Sequence, residues 1–233
     1  MEQFFAEAEQ LGLDAVAVTH AEKFTECLWH LEKIKSEGHY PDFTEQDLQI
    51  RIDPKAVLPS AKTIISTAIA YKTELPKLSP QSGLLSRYAW GIDYHRVLTH
   101  KLETLAEWMQ KNLGVKNYAV CVDTKPTLDR AIFLRAGLGW RGKNCCVFHP
   151  QFGSWIFLGS ILVDVELPQI NPHPFSSASP CDKCVLCIQA CPTGALFAPY
   201  RINPYICISY LTQMKGFIPV ELRAKIGVKL WGC

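Results

Sequence analysis

Two spacings of apolar residues organise the chain. Between Tyr94 and Leu113, the residues Leu98, Leu102, Leu105, Trp108 and Met109 recur three or four apart and share one face, which predicts a long amphipathic helix. The run Thr63-Ile64-Ile65-Ser66-Thr67-Ala68-Ile69-Ala70 is rich in β-branched residues and predicts a buried strand. Further strands are predicted at Ala15–Val18, Tyr118–Val122 and Trp155–Val165, the second delivering Asp123 at its end. Helices are predicted over 2–11, over 21–37 with a stop at Gly38, and over 127–136 with a stop at Gly137. The segment from Tyr40 to Leu58 and the polar stretch 72–86 read as loops. Helices alternating with strands imply a fold of the α/β or α+β class over residues 1–166. Residues 167–180 (LPQINPHPFSSASP) are rich in Pro and Ser, lack periodicity and read as a linker. A small cysteine-rich module occupies 181–233.

Composition narrows the possibilities. Hydrophobic residues make up 48% of the 233 and charged residues 20%, enough for a packed core and too little charge for a disordered chain. No run approaches the roughly 20 apolar residues of a membrane span, and the Met1–Gln10 segment is acidic rather than signal-like. The expectation is a monomeric cytoplasmic protein without a membrane partner. The formal charge of +2 decides nothing about nucleic acid. Locally, Arg201, Lys215, Arg223, Lys225 and Lys229 outnumber the single acid Glu221 across 201–233, a balance that suits an anionic partner or simply a solvated helix face.

Six of the ten cysteines fall in the last 53 residues: Cys181, Cys184, Cys187, Cys191, Cys207 and Cys233. The first four, followed by Pro192, spell C-x2-C-x2-C-x3-C-P. Short turns at this spacing aim three thiolates at one iron–sulfur cubane, and the cysteine before proline turns toward a second cluster. Zinc, which takes four ligands usually in two separated pairs, fits this spacing poorly. The expectation is [4Fe–4S] ligation by these six cysteines, with Cys191, Cys207 and Cys233 grouped. A single cluster completed by Cys191 or a non-cysteine ligand is the alternative. Two clusters need eight thiolates, and a second such motif would begin at Cys233, so a C-terminal part of the natural chain is expected to be absent. The vicinal Cys145 and Cys146 read as buried thiols, and no histidine pair has metal-ligand spacing.

Four stretches together resemble the epoxyqueuosine reductase family: Ser86–His95 (SRYAWGIDYH), Asp123–Asn144 (DTKPTLDRAIFLRAGLGWRGKN), Gly153–Gly159 (GSWIFLG), and Cys181–Leu196 with Cys207–Thr212 (CISYLT). The resemblance implies a cobalamin-binding α/β domain followed by a ferredoxin-like domain. It also implies reduction of an epoxide on a modified tRNA base to an alkene, with electrons passing from an external donor through two [4Fe–4S] clusters to cobalamin. The partner so implied is tRNA, through its anticodon loop. Arg201, Lys215 and Arg223 are the candidate phosphate contacts.

The resemblance makes Asp123 the proton donor, and the residues alone leave it equally able to cap the helix that follows. An aspartate acting as an acid near neutral pH needs its pKa raised, which predicts burial of Asp123. The end of a strand is also where ligands gather in open α/β sheets. Arg51, Arg87, Tyr94 and Ser209 match polar cofactor-site positions of the family. Gly142 is expected to let the backbone approach a flat cofactor, with Lys143 and Asn144 meeting its amide side chains. A related reductase of small molecules and a non-catalytic electron carrier are the competing readings.

Overall fold

The computed structural model describes residues 1–74, 79, 82–175 and 179–233. Parts of the expected 72–86 loop and of the 167–180 linker lie outside the described residues. Helix α1 (Glu2–Gln10) leads into strand β1 (Ala15–His20), helix α2 (Thr25–Ser36) and a short helix α3 (Leu48–Ile52). Strand β2 (Thr63–Ala70), the two-residue β3 (Leu84–Leu85), the long helix α4 (Tyr94–Asn112) and strand β4 (Tyr118–Cys121) follow. Next come α5 (Asp129–Arg135), a small pair β5 (Trp140–Arg141) and β6 (Val147–Phe148), and strand β7 (Ile156–Val163). The cysteine module contributes α6 (Leu186–Gln189), α7 (Ile208–Leu211), α8 (Val220–Ile226) and β8 (Lys229–Trp231).

The main sheet has the order β1-β2-β7-β4, and every neighbouring pair is antiparallel. Both faces of this sheet are covered. On one side Ile65, Ile161 and Val163 pack against Leu98, Leu102, Leu105 and Met109 of α4 and Phe4 of α1. On the other, Ile64 and Leu162 meet Leu31 of α2 and Ile132 of α5, while Ala17 and Ala68 meet Phe133. Alternate residues of one strand therefore enter opposite cores, which is why the first six residues of β2 are all buried. Such runs usually mark parallel strands, and here they belong to an antiparallel sheet with helices on both faces. The sheet thus differs from the open parallel sheets in which ligands gather at strand ends. Asp123 instead follows β4, the sheet's outer strand. Gly159 of β7 lets α4 approach closely, because a Cβ there would lie 2.7 Å from Leu102 Cδ1.

The expected loop from Tyr40 to Leu58 contains α3, whose N-cap Asp47 accepts hydrogen bonds from the backbone N–H groups of Gln49 and Ile50. The described part of the linker is laid along the first unit. Val18 N–H donates to the Ile170 carbonyl at 2.8 Å, Phe175 N–H to the Gly137 carbonyl at 2.9 Å, and Asn171 Nδ2 to the Ala136 carbonyl at 2.9 Å.

The cysteine module has its own small core of Ile208, Leu211, Leu222 and Ile226, and it is fastened to the first unit at several points. Strand β8 pairs in parallel with β3. Arg201 forms an ion pair with Glu37 and stacks over Phe197. Tyr205 Oη donates to the Tyr40 carbonyl at 3.1 Å, and Phe43 stacks on Tyr210.

Candidate active site

Strand β4 ends at Cys121, and the chain turns at once. Thr124 N–H donates to the Val122 carbonyl at 2.6 Å across Asp123, whose φ is 57°. This is a γ-turn centred on a positive-φ residue, the rare and strained form. Aspartate tolerates such a backbone better than most residues, and strained positions cluster where a side chain must be presented. The carboxylate so presented is 67% exposed. The burial expected for Asp123 is therefore not supplied by the chain itself, because the turn pushes the side chain outward from the sheet edge.

Asp123 borders a cleft of about 500 Å3 together with Tyr94, Arg51, Asp129, Arg130 and Arg141, a volume typical of small-molecule sites. Tyr94 lies beside Asp123. Burial first, then the neighbouring Asp123 carboxylate, raise its phenol well above the usual range, so it stays protonated and able to donate. Its ring is held flat on Phe157 at 4.0 Å. Asp123 is also 3.4 Å from His95 Nε2, and His95 Nδ1 is 2.8 Å from Asp93 Oδ1.

The second carboxylate in the cleft, Asp129, was not legible as a site residue. Burial pushes its pKa up to about 6, against the hydrogen bond from Thr127 Oγ1 at 2.7 Å, and the charge of Asp123 adds to the rise. The only hint of it in sequence is its position at the start of a helix, where an acid normally serves the helix dipole. Arg51 donates through Nη1 to the Thr127 carbonyl at 2.8 Å, while its buried Nε has no partner. A buried donor without an acceptor is costly, and this one belongs to a residue lining the cleft.

The remaining expected site residues lie elsewhere. Arg87 stacks on Trp155 at 4.6 Å. Ser209 lies in α7, where its carbonyl accepts from Gln213 Nε2 at 2.7 Å. Gly142 is accounted for inside the chain, because a Cβ there would overlap the Phe148 ring and Asn144 Oδ1, and at Gly139 it would overlap the Phe148 carbonyl. Asn144 Oδ1 accepts from Cys146 N–H at 3.1 Å. Lys143 is buried and its Nζ donates to the Asp182 carbonyl at 2.6 Å, tying the first unit to the cysteine module. Residues 140–148 form a small hairpin, clasped to the cysteine module by Lys143.

In the cysteine module, Cys184 and Cys233 are exposed, and Cys181, Cys187, Cys191 and Cys207 are partly buried. Among the described residues, no three His, Cys, Asp or Glu side chains converge as a ready-made metal cage. The donor set nevertheless has the chemistry of thiolate ligands. Burial alone would raise the Cys191 thiol, but backbone N–H donors, that of Leu196 foremost at 3.5 Å, outweigh it and hold Cys191 below the usual range. Cys207 is raised by burial, and the nearby Cys233 and Cys191 thiols add to the rise. Cys191 and Cys233 both lie within electrostatic reach of Cys207. Cys146 is open to solvent, yet burial raises its thiol and it feels both Cys207 and Cys187. Cys146 is therefore exposed beside a buried Cys145, which corrects the expectation of a buried vicinal pair. Cys145 is buried as expected.

No helix among the described residues is long and apolar enough to cross a membrane. A family profile described as "Epoxyqueuosine reductase QueG, DUF1730" matches residues 51–124, and one described as "4Fe-4S double cluster binding domain" matches residues 180–233. Epoxyqueuosine reductase of Bacillus subtilis (strain 168) is 37% identical over 243 residues, covering 100% of this chain and 60% of the relative. A crystal structure of epoxyqueuosine reductase with a tRNA-Tyr epoxyqueuosine-modified tRNA stem loop superposes with a TM-score of 0.91 at 37% identity, covering 100% of this chain and 62% of that one. Epoxyqueuosine reductase from Streptococcus thermophilus superposes with a TM-score of 0.92 at 33% identity, covering 100% and 63%. The chain spans about 60% of the length of the curated relatives it matches. From end to end, in both sequence and fold, the chain is similar to about three fifths of the length of epoxyqueuosine reductases.

Proposed function

We propose that this chain carries the substrate cleft, and part of the electron path, of an enzyme that reduces epoxyqueuosine in a tRNA anticodon loop to queuosine. The observation that carries the reading is the presentation of the Asp123 carboxylate, on a strained turn, into a cleft it shares with Tyr94 and Arg51. The likeness to a relative solved with an epoxyqueuosine-modified tRNA stem loop supports the substrate.

Removing an epoxide oxygen to leave an alkene consumes two electrons and two protons and releases water. Asp123 is placed to give a proton to the oxygen as the ring opens, with the Tyr94 hydroxyl fixing the carboxyl group. Because Asp123 is exposed in the chain alone, the incoming nucleoside supplies the covering surface that an acid requires. A base extruded from the loop fits such an entry. Cobalamin, when bound, supplies a strongly reducing cobalt centre. The unpartnered Arg51 Nε is the donor we assign to an acceptor group on it. The thiolates of Cys181, Cys184, Cys187, Cys191, Cys207 and Cys233 would hold the iron–sulfur clusters. The exposed Lys215 and Arg223 are the side chains we assign to tRNA phosphates.

The test is anaerobic incubation of the protein, reconstituted with iron, sulfide and cobalamin, with tRNA bearing epoxyqueuosine and a low-potential reductant. Loss of one oxygen from the nucleoside, read by mass spectrometry, is expected. Reduced clusters with an intact epoxide and an unchanged cob(II)alamin spectrum would instead indicate an electron carrier.

A further inference from the structure

We propose that His95 is a positioning residue that shares one proton with Asp123 and restores it from solvent during turnover. The inference rests on Asp123 being the acid, and it assigns how that acid is supplied.

The imidazole is held on three sides. Its Nδ1 is 2.8 Å from Asp93 Oδ1, and its Nε2 is 3.4 Å from Asp123 Oδ2. Its face lies on Tyr94, with centroids 4.0 Å apart. Tyr94 in turn lies on Phe157 and Phe157 on Tyr71, so a column of four rings anchors the histidine to β7. Asp93 is fixed as the N-cap of α4, accepting the His95 N–H at 3.0 Å. Its hydrogen bond with the His95 ring, foremost among its contacts, holds it below the usual carboxylate range. The charged and titratable groups around the ring are Asp93, Tyr94 and Arg96 on α4 and Asp123 on the turn after β4, with Asp129 of α5 beyond them.

This geometry leaves one proton with two homes. Ionised Asp93 takes the Nδ1–H, so the contact between Nε2 and Oδ2 is satisfied in two ways. Either Nε2–H donates to the Asp123 carboxylate, or protonated Asp123 donates to the Nε2 lone pair. The ring is 36% exposed and therefore reaches water. Once the substrate covers Asp123, His95 remains the wet end of the pair.

The chemistry balances on this route. Both C–O bonds of the epoxide break and one C=C π bond forms. The two electrons come from a low-potential one-electron donor through the iron–sulfur centres. Asp123 gives its proton to the oxygen released at ring opening and regains one from His95 Nε2, which takes its replacement from water. A second proton follows the same path, and the oxygen leaves as water.

His95→Gln keeps a hydrogen-bonding side chain that cannot carry a proton. We expect kcat to fall ~100-fold, the low end of what general acid–base catalysis contributes, with KM for the modified tRNA unchanged. His95→Ala should lose as much and recover when imidazole is added. In the cofactor-free protein, Asp123→Asn should move the 15N resonance of His95 Nε2, and Asp93→Asn that of Nδ1. Wild-type kcat in His95→Gln, no imidazole rescue of folded His95→Ala, or an Nε2 resonance indifferent to Asp123→Asn would each overturn the proposal. A wild-type protein that leaves the epoxide intact would instead overturn the proposed function, while the resonances still test the shared proton.

Discussion

The ring of Tyr94 lies on that of Phe157, centroids 4.0 Å apart and planes 2° from parallel, while burial and the Asp123 carboxylate beside it keep its hydroxyl protonated. Stacking and donation are thus separable functions of one residue. Tyr94→Phe should leave thermal stability within about 0.5 kcal/mol, the usual margin for a change away from packing, and lower kcat roughly 10-fold by loosening the Asp123 carboxyl. Tyr94→Ala should lower both, since stacked aromatic pairs add ~1 kcal/mol beyond burial. Melting curves beside turnover rates separate the two. Equal melting temperatures in Phe and Ala variants would refute the stacking role.

The strained turn at Asp123 predicts a trade of stability for activity. Glycine occupies a φ of 57° without strain. Asp123→Gly should therefore stabilise the fold by ~1 kcal/mol while lowering turnover by ~100-fold or more. Asp123→Asn should lose the same activity, keep the hydrogen-bonding shape and gain little stability. Chemical denaturation together with turnover assays reads both, and retained activity in either variant would remove Asp123 as the acid.

Asp129 has a folded-state pKa raised to about 6 by burial, against an ordinary value near 3.9 in an unfolded chain. Between those values the folded state binds more protons than the unfolded one, so stability falls as pH rises from about 4 to 6 and stays lower above that. Asp129→Asn removes the charge and should flatten this part of the stability profile, raising stability at pH 7 relative to wild type. Parallel denaturation curves at pH 4 and pH 7 for both proteins make the comparison. A variant with the wild-type slope would show that Asp129 is not the responsible group.

The basic side chains of the cysteine module should not act alike on tRNA. Arg201 is committed to Glu37 and Phe197, whereas Lys215 and Arg223 are exposed. Lys215→Ala and Arg223→Ala should each lower the salt dependence of tRNA binding by ~0.7–0.9 in the log–log slope. Arg201→Ala should leave that slope unchanged and lower the melting temperature. Filter binding from low to high salt distinguishes these outcomes.

Those contrasts mark where sequence ceases to inform. The elements that bury a repeating face were legible in outline, since α4, β2 and β7 are written in the spacing of Leu98, Leu102 and Leu105 and in the runs around Ile64 and Ile161. The direction of the strands was not, because a strand buried on both faces carries the same pattern whichever way its neighbour runs. The short elements α3, β5 and β6 also escaped, being set by caps and by long-range packing. At the site, Asp123, Tyr94 and Arg51 were named on resemblance and do share one cleft. His95 and Asp129 were not named. One gains its role from a contact 28 residues away, and the other from burial, and neither leaves a trace in local spacing. Gly142, Lys143 and Asn144 also meet Phe148, Asp182 and Cys146 of the same chain, contacts that their local spacing does not announce.

The stretch of linker that receives a hydrogen bond from Val18 lies against β1, the outermost strand on its side of the main sheet. A bare outer strand is a template for self-association, and Ile170 caps this one from within. Dividing the gene at residue 166 to express the first unit alone would uncover that template. The two halves of the polypeptide are in this sense each other's solubility partner, and modular swapping of the cysteine module between relatives has to carry the 167–175 tether along with it.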